Sequence, residues 1–350
     1  MSIDAVIIGA AGYVGGELLR LIAAHPQFEL AAALSSRHAG EPIGLVFPHL
    51  HQAYRERTFS TPRTWADAAR GSDIALFSAA PHGASAPAIK AALALATERN
   101  LNVRVVDSSA DFRYGCAETF ERVYGIPHPA PELLAEFACA VPEHAPETRA
   151  PYAGHPGCFT TAALLAALPL IDAGLVRDDI YLSGITGSTG SGRDPRPGTH
   201  HPERHSNLYT YLPLRHRHAP EIAALVKDAC GVGIRVHFVP HSAPFARGIH
   251  MTLQARLQVQ ADTRDIEELF SNAYARSSFV RFVDGSPRLK DVVGSNQCHI
   301  GAAVDATAIS VMCVIDNLVK GAAGGALQWM NRLWSLPDNT GLLGAAPAWI

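Results

Sequence analysis

The segment DAVIIGAAGYVGG, residues 4–16, decides the fold of the first half of the chain. An apolar run of strand length enters a turn with glycine at positions 9, 12 and 15, and helical spacing continues from Tyr13 to Ala24. Glycine permits a tight turn and a close approach of backbone to phosphate, while the N-terminus of the following helix attracts negative charge. This GxxGxxG turn between strand and helix predicts a dinucleotide site; the alternative is a tight turn without a ligand. The residues expected to hold the dinucleotide here are Gly9, Ala11, Gly12, Tyr13, Val14 and Gly15.

Strand-like and helix-like segments alternate after this opening. The runs FELAAALSS, IALFSAA and VRVVDSS begin at residues 28, 74 and 103, and near-continuous apolar strands between helices are typical of a covered parallel sheet. From about residue 150 longer loops rich in Gly, Pro and His appear, and IHMTLQARLQVQ (249–260) alternates as half-exposed antiparallel strands do. We expect an α/β protein. A Rossmann-type, doubly wound parallel sheet should occupy residues 1–157 and 318–350, and an α+β substrate and dimerisation domain with a mainly antiparallel sheet should occupy 158–317.

The composition excludes several classes of function. The 350 residues carry a formal net charge of −3, which gives no general attraction to nucleic acid or to an anionic membrane. The N-terminus enters a strand without a signal peptide, so a cytoplasmic protein is expected. The six cysteines are scattered without CxxC pairs, which favours neither a disulfide framework nor a zinc site, and no metal is expected.

The ends of the later strands indicate which dinucleotide binds. An NAD site places an acidic residue after the second strand, whereas this chain has Ser35, Ser36 and Arg37, which suit the 2′-phosphate of NADP(H). An incidental arginine in a solvated loop is the alternative. Pro81, after the third strand, and residues 107–113, after the fourth, should line the cofactor crevice, because ligands bind at the carboxyl ends of parallel strands. Ordinary loop chemistry, with Asp107 and Ser108 as helix caps, is the other interpretation.

Cys158 follows Pro156-Gly157 and begins the apolar segment CFTTAALLAALPLI. A cysteine at a helix N-terminus is favoured as thiolate, the form that acts as nucleophile. None of the other five cysteines has this setting, although a buried, inert cysteine remains the alternative. A thiolate beside a nicotinamide implies attack on an activated acyl group, expulsion of a leaving group, and hydride reduction of the thioester to an aldehyde. That chemistry needs a histidine as acid/base and cations for a leaving phosphate.

A basic block supplies such groups between residues 193 and 218. It contains Arg193, Arg196, Arg204, Arg215 and Arg217 with His200, His201, His205, His216 and His218. A charge run is usually a solvated face, but one broken by proline and glycine favours an anion-handling loop. Metal binding is the rival interpretation of the histidines, and it lacks an HExxH helix or companion cysteines.

Segments along the whole chain resemble the N-acetyl-γ-glutamyl-phosphate reductases of the aspartate-semialdehyde dehydrogenase superfamily. They are GAAGYVGGELLRL, SSRHAG, PHG, VDSSADFR, HPGCFTTA, GSTGSGR, HRHAPEI, FVPHSAPFARGI and IDNLVKGAAGGALQWMN. The resemblance implies an NADPH-dependent reductase of arginine biosynthesis with Cys158 as nucleophile, His218 as acid/base beside His216, and a homodimer or homotetramer. It also implies that Glu221 and Arg247 orient the substrate, and Ser109 and Arg113 of VDSSADFR are expected to bind it. The residues expected near the nicotinamide are Ser188, Gly190, Ser191, Gly192 and Asn317.

Two departures from the family pattern leave the substrate open. Phe159-Thr160 stands where the family usually has Tyr-Pro, and the segment THHPERHSNLYTYLPLRHRH resembles the lysine-pathway branch. That branch reduces an aminoadipyl phosphate borne on an acidic carrier protein. The alternatives are therefore a free N-acetylglutamyl phosphate, a carrier-bound aminoadipyl or glutamyl phosphate, aspartate-semialdehyde dehydrogenase activity, and a catalytically silent NADP sensor. Half of the basic block is histidine, mostly neutral at pH 7, which favours the free substrate over an acidic carrier.

Overall fold

The strands and helices alternate as the sequence predicts in a computed structural model, which describes residues 2–62, 64–145 and 148–348. The strands are β1 (Ile3–Ile8), β2 (Phe28–Leu34), β3 (Asp73–Ser78), β4 (Asn102–Asp107), β5 (Phe137–Cys139), β6 (Tyr152–Gly154), β7 (Asp179–Thr186), β8 (Tyr209–Thr210), β9 (Arg235–Ser242), β10 (Ile249–Arg256), β11 (Val280–Phe282), β12 (Cys298–Asp305) and β13 (Ala308–Ile315). The α-helices are α1 (Tyr13–Ala23), α2 (Ile43–Val46), α3 (Ser85–Glu98), α4 (Ala117–Tyr124), α5 (Cys158–Asp172), α6 (His201–Arg204), α7 (His218–Cys230), α8 (Thr263–Ala273) and α9 (Gly324–Leu333).

These elements belong to two compact units. The first comprises Met1–Pro142, Glu147–Pro156 and Ala322–Leu343, and the second comprises Glu143–Pro146, Gly157–Gly321 and Gly344–Ile350. The ranges expected from the sequence put residues 143–145, 157, 318–321 and 344–348 with the nucleotide domain, whereas in the structure these residues cluster with the second unit. A buried ion pair is one physical reason, because Lys320 Nζ lies 2.6 Å from Glu143 Oε1 and binds the two segments together.

A six-stranded sheet forms the centre of the first unit, in the order β2-β1-β3-β4-β6-β5. All five strand pairs are parallel, which confirms the Rossmann-type prediction. Every residue of β1 is buried, and this explains why the strand is apolar except for Asp4, whose carboxylate accepts the backbone N–H groups of Arg70 and Gly71. Val6 and Ile8 of β1, Leu76 of β3 and Ile89 of α3 share one hydrophobic core.

The C-terminal helix completes the first unit, although it begins differently from the prediction. The sequence predicts one helix across NLVKGAAGGALQWMNRLW, whereas a π-helical turn over Val319–Ala323 precedes α9. Helix α9 packs on β4 and α1. Its Trp329 indole donates to the carbonyl of Ala140 at 2.8 Å, and its Asn331 Oδ1 lies 3.1 Å from His25 Nε2.

The second unit contains a seven-stranded mixed sheet in the order β11-β12-β13-β10-β7-β9-β8. Four of its six strand pairs are antiparallel, which confirms the predicted mainly antiparallel sheet. Helix α5 packs against β10, β13 and α7, and it is buried from Phe159 to Ile171. Burial on all sides explains why its sequence is apolar apart from Thr160 and Thr161. Within the described ranges no helix is both long enough and apolar enough to cross a membrane.

Candidate active site

The glycine turn of the first unit has the close packing that its sequence predicts. Gly9 follows β1 with φ +73°, and a Cβ there would lie 2.7 Å from the carbonyl group of Ala79, after β3. A Cβ on Gly15 would lie 2.5 Å from the carbonyl oxygen of Ala10. Gly12 is the N-cap of α1, which begins at Tyr13. Glycine at these positions lets the turn pack closely between β1, α1 and the end of β3, and the turn leads into the N-terminus of α1, which attracts a phosphate, so these residues fit a dinucleotide.

The groups expected to bind the 2′-phosphate lie at the adjacent strand end. Because β2 is the neighbour of β1 in the sheet, the segment after β2 lies at the same edge as the glycine turn. Ser35 is half-buried and its Oγ accepts the backbone N–H of His38 at 3.3 Å, while Ser36 and Arg37 are exposed. Pro81 follows β3 on the other side of β1 and is exposed.

Asp107, Ser109 and Arg113 form buried polar contacts after β4. The Asp107 carboxylate accepts the hydroxyls of Ser85 and Ser109 at 2.6 and 2.7 Å. Burial raises the pKa of Asp107 to about 6, against the lowering effect of these hydrogen bonds. Arg113 donates to the carbonyl oxygens of His155 and Ser108, both at 3.2 Å. Ser109 therefore stabilises the loop that follows Asp107, and Arg113 links this loop to His155 within the first unit.

Cys158 is the first residue of α5, as the sequence predicts. The backbone of Gly321, in the π-helical turn, packs closely against Cys158, because a Cβ on Gly321 would lie 2.8 Å from the Cβ of Cys158. The preceding N–H, that of Gly157, donates to Glu221 Oε1 at 2.7 Å. A fully buried carboxylate thus fixes the turn that presents the cysteine. The resemblance implies that Glu221 orients the substrate, and the hydrogen bond to Gly157 gives it a second, structural role.

Cys116 also lies at a helix start, which the sequence reasoning missed. It is the N-cap of α4, and its thiol lies 3.0 Å from the hydroxyl of Thr119. Cys298 is buried at the beginning of β12, with its sulfur 3.5 Å from that of Cys313.

His216 and His218 lie together beside Phe159, the neighbour of Cys158. Their ring centroids are 4.6 Å apart, and each lies about 6 Å from the Phe159 ring, at 5.9 and 6.0 Å respectively. The backbone N–H of His218 donates to His216 Nδ1 at 3.2 Å, which puts the proton of a neutral His216 on Nε2. Burial, and secondarily the charge of Arg217, lowers the pKa of His216 to about 4. His216 is therefore neutral at physiological pH.

The lowered pKa of His216 predicts a loss of stability in mild acid. In the unfolded chain a histidine binds its proton near pH 6.5, whereas folded His216 does so only near pH 4. Between these values the unfolded state holds the extra proton, so the free energy of unfolding falls as the pH falls. At pH 5 the loss relative to pH 8 is about 2 kcal/mol from this residue.

The measurement is urea unfolding of the wild type and of His216→Gln at pH 8 and pH 5. The variant lacks the titrating ring. Its free energy of unfolding should therefore fall by about 2 kcal/mol less than that of the wild type between pH 8 and pH 5. Parallel pH dependences in the two proteins would contradict the assignment. A proton NMR titration of the His216 ring is the direct control.

Arg247 and Asn317 organise the loops beyond β7. Arg247 Nε and Nη2 bind the two carboxylate oxygens of Asp316, each at 3.1 Å. Asn317 accepts the N–H of Gly248 at 2.6 Å and donates to Thr189 Oγ1 at 3.0 Å. The structure thereby brings Asn317 together with the 3-10 turn Ser188–Ser191. Gly190 lies in this turn and Gly192 just after it. The five residues expected near the nicotinamide therefore all belong to the second unit.

Two residues of the second unit carry no individual role in the site expected from the sequence. Tyr211 is half-buried, with its ring 5.6 Å from that of His216. Burial raises the pKa of Tyr211, and the charge of Cys158 raises it further. Arg204 is buried and donates to Ser242 Oγ at 2.9 Å. No local pattern marks Tyr211, and the basic block gave no reason to single out Arg204. Across residues 2–62, 64–145 and 148–348, no three His, Cys, Asp or Glu residues are grouped to hold a metal.

Comparison with known proteins identifies the class to which this fold and site belong. Residues 4–137 match the semialdehyde dehydrogenase NAD-binding domain, and residues 158–317 match the semialdehyde dehydrogenase dimerisation domain. Among solved structures, aspartate semialdehyde dehydrogenase II of Vibrio cholerae, complexed with ASA, has a TM-score of 0.68 at 16% identity, over 96% of this chain and 98% of its own. The NADP-bound aspartate semialdehyde dehydrogenase of Candida albicans also has a TM-score of 0.68, at 14% identity over 97% of this chain and 100% of its own. The chain therefore has the semialdehyde dehydrogenase fold.

Sequence relatives narrow this class to one family. The N-acetyl-γ-glutamyl-phosphate reductase of Symbiobacterium thermophilum is 39% identical over the full length of both chains. That of Methanopyrus kandleri is 38% identical over 96% of each chain. The chain belongs to the N-acetyl-γ-glutamyl-phosphate reductase family, which confirms the resemblance drawn from its motifs.

Proposed function

We propose that this protein reduces N-acetyl-γ-glutamyl phosphate to N-acetylglutamate γ-semialdehyde with release of phosphate, a step of arginine biosynthesis. The observation that carries the proposal is the position of Cys158 at the start of α5, with the rings of His216 and His218 against the next residue, Phe159, in a chain of this family. The names of the relatives favour the free acetylated substrate over a carrier-borne one, so the proposal includes no acidic carrier protein.

The chemistry begins at Cys158. Its thiolate attacks the acyl carbon, the bond to the phosphate oxygen breaks, and a thioester forms. NADPH supplies the hydride that takes the thioester to the oxidation level of the aldehyde. The Cys158 sulfur then leaves as the carbonyl re-forms, and it recovers a thiolate for the next turnover.

The histidine pair handles the proton in this scheme. His218 lies on the first turn of α7, and its ring contacts that of Phe159, the residue after the nucleophile. This position suits transfer of a proton to and from the substrate oxygen. His216 stays neutral, and its Nε2–H is a hydrogen-bond donor that adds no charge. Glu221 holds the N–H of Gly157 and so fixes the direction from which Cys158 attacks.

NADP(H) is the proposed cofactor. Gly9, Gly12 and Gly15 would receive the pyrophosphate, and Ser35, Ser36 and Arg37 the 2′-phosphate, because these three residues stand where an NAD site has an acidic residue at the end of β2. The NADP complex of the Candida albicans aspartate semialdehyde dehydrogenase agrees with this choice.

Arg37→Ala should weaken NADP binding by about tenfold to a hundredfold, the effect of one lost charge-assisted contact, and leave NAD binding nearly unchanged. Calorimetric titration with each dinucleotide measures both. Arg55→Ala, which removes another exposed arginine of the first unit, is the matched control and should behave as wild type. A wild-type preference for NAD would contradict the assignment.

A second copy of the chain is the proposed partner, in a homodimer or homotetramer. The match of residues 158–317 to a dimerisation domain supports contacts through the second unit. We also place the enzyme in the cytoplasm, where the free thiols of its six cysteines remain reduced.

The decisive experiment runs the reaction backwards. Purified protein, NADP⁺ and phosphate are mixed with N-acetylglutamate semialdehyde, with aspartate semialdehyde, or with aminoadipate semialdehyde on an acidic carrier. NADPH formation should be rapid with the first substrate only and should require phosphate. Because no acidic protein surface takes part, the rate should respond weakly to salt. Turnover only with the carrier, or only with aspartate semialdehyde, would overturn the proposal.

A further inference from the structure

Arg204 is a buried cation with an unused binding edge. It ends helix α6, and its side chain is only 8% exposed. Nη1 donates to Ser242 Oγ at 2.9 Å. Nε and Nη2 have no hydrogen-bond partner anywhere in the described ranges. A guanidinium that is desolvated without an anionic partner is unfavourable, so its burial indicates that it binds an anion.

The two nitrogens without a partner identify the kind of anion. Nε–H and Nη2–H point in the same direction, at the spacing of two carboxylate oxygens. Arg247, in the same unit, uses this edge to bind Asp316, with both contacts at 3.1 Å. Arg204 presents the same edge without a protein carboxylate. The group it suits is therefore a carboxylate or another planar pair of anionic oxygens.

The position of Arg204 relative to the nucleophile can be followed along the sheet. The Phe159 ring lies over Gly184 of β7, where a Cβ would lie 2.6 Å from the ring. Thr186, two residues further, faces the same buried side of β7 and pairs with Ser242 of β9. Ser242 is also buried and binds Arg204. Two residues of a strand span about 7 Å. Ser242, which holds Arg204, therefore lies about 7 Å further along the sheet than the position of the Phe159 ring at Gly184.

We propose that Arg204, held by Ser242, binds the α-carboxylate of the acyl substrate; this rests on the function proposed above. The phosphate is attached to the reacting carbon and must lie at Cys158. The α-carboxylate is separated from that carbon by three others in the chain, so it needs a cation displaced from the nucleophile, as Arg204 is. Arg204 is thus a specificity determinant that rejects aldehydes without a carboxylate, because they would leave its edge unpaired.

The test compares substrates that differ only in this group. N-acetylglutamate semialdehyde and 4-acetamidobutanal are oxidised with NADP⁺ and phosphate by wild type, Arg204→Gln and Arg204→Lys. Arg204→Gln should lower kcat/KM for the semialdehyde about 100-fold, mainly through KM, and leave the slow rate with 4-acetamidobutanal and the KM for phosphate nearly unchanged. Arg204→Lys keeps the charge but not the edge, and should lie between. Arg264→Gln, an exposed arginine of α8, is the control and should match wild type.

Several outcomes would overturn the inference. An equal loss with both aldehydes would mean that Arg204 supports the fold, and a raised KM for phosphate would mean that it binds the leaving group. Thermal unfolding separates the structural case, because replacement of a buried cation that has no anionic partner should not lower Tm.

A binding experiment keeps the inference separate from the proposed function. N-acetyl-L-glutamine carries the α-carboxylate and has an uncharged side chain, so its affinity can be measured by calorimetry without turnover. Wild type should bind it and Arg204→Gln should bind it about 100-fold more weakly. Binding without turnover of the semialdehyde would refute the proposed function alone. Equal affinity in the two proteins, or no binding by wild type, would refute the role of Arg204.

Discussion

Cys158→Ser is expected to fold normally and to lose activity by a factor on the order of 10⁴ or more, as is typical when a nucleophile is removed. A serine hydroxyl is scarcely ionised at neutral pH, while a thiol at a helix N-terminus is readily ionised. The measurement is NADP⁺-dependent oxidation of N-acetylglutamate semialdehyde in the presence of phosphate.

Cys116→Ser is the matched control for this variant. Cys116 also lies at the start of a helix, as the N-cap of α4, and serine is a preferred N-cap residue, so the variant should be as stable and as active as wild type. Calorimetric binding of NADP to Cys158→Ser should be unchanged, which would show that the dinucleotide unit is intact. Substantial turnover by Cys158→Ser would refute the thioester mechanism.

Lys320→Met should destabilise the second unit by about 3–5 kcal/mol, because it leaves Glu143 as a buried charge without its cation. Nζ of Lys320 lies 2.6 Å from Glu143 Oε1, and the two side chains are 0% and 2% exposed. The ammonium also lies 5.3 Å from the centroid of the Phe279 ring, a further contact that the variant loses. Guanidinium unfolding followed by circular dichroism measures the effect.

Two variants separate this pair from a general effect of charge. Arg288→Met removes one side of the Arg288–Asp291 pair, whose side chains are 80% and 35% exposed, and it should cost less than about 1 kcal/mol. The double variant Glu143→Met, Lys320→Met removes both buried charges and should recover much of the stability. A single Lys320→Met variant as stable as Arg288→Met would show that the buried pair does not stabilise the unit.

Local patterns predicted the parts of this structure that depend on neighbouring residues. The turn from β1 into α1 follows from glycines three residues apart, and the helix start at Cys158 follows from Pro156-Gly157 before an apolar run. Pairs distant in sequence were out of reach, because a single sequence has no periodicity that links Gly157 to Glu221 or Glu143 to Lys320. These contacts close loops of 64 and 177 residues.

In the basic block, too, the sequence did not show which residues the fold brings into contact. Composition identifies an excess of cations between residues 193 and 218 but treats its arginines alike. The fold distinguishes them, because Arg204 is buried against Ser242 while Arg215 is exposed. Burial and partner, rather than the number of charges, decide which arginine is suited to bind a substrate anion.

Helix α9 has a consequence for how the protein is made. It completes the first unit, with Leu327, Trp329 and Met330 fully buried, yet it leaves the ribosome after nearly all of the second unit. At synthesis rates of about 5–20 residues per second, the interval between β6 and α9 is on the order of ten seconds or more. During that time the surface on which α9 packs is exposed to water and to other nascent chains. We therefore expect the nucleotide-binding half to need chaperones during synthesis until α9 is made, although its sheet is translated first.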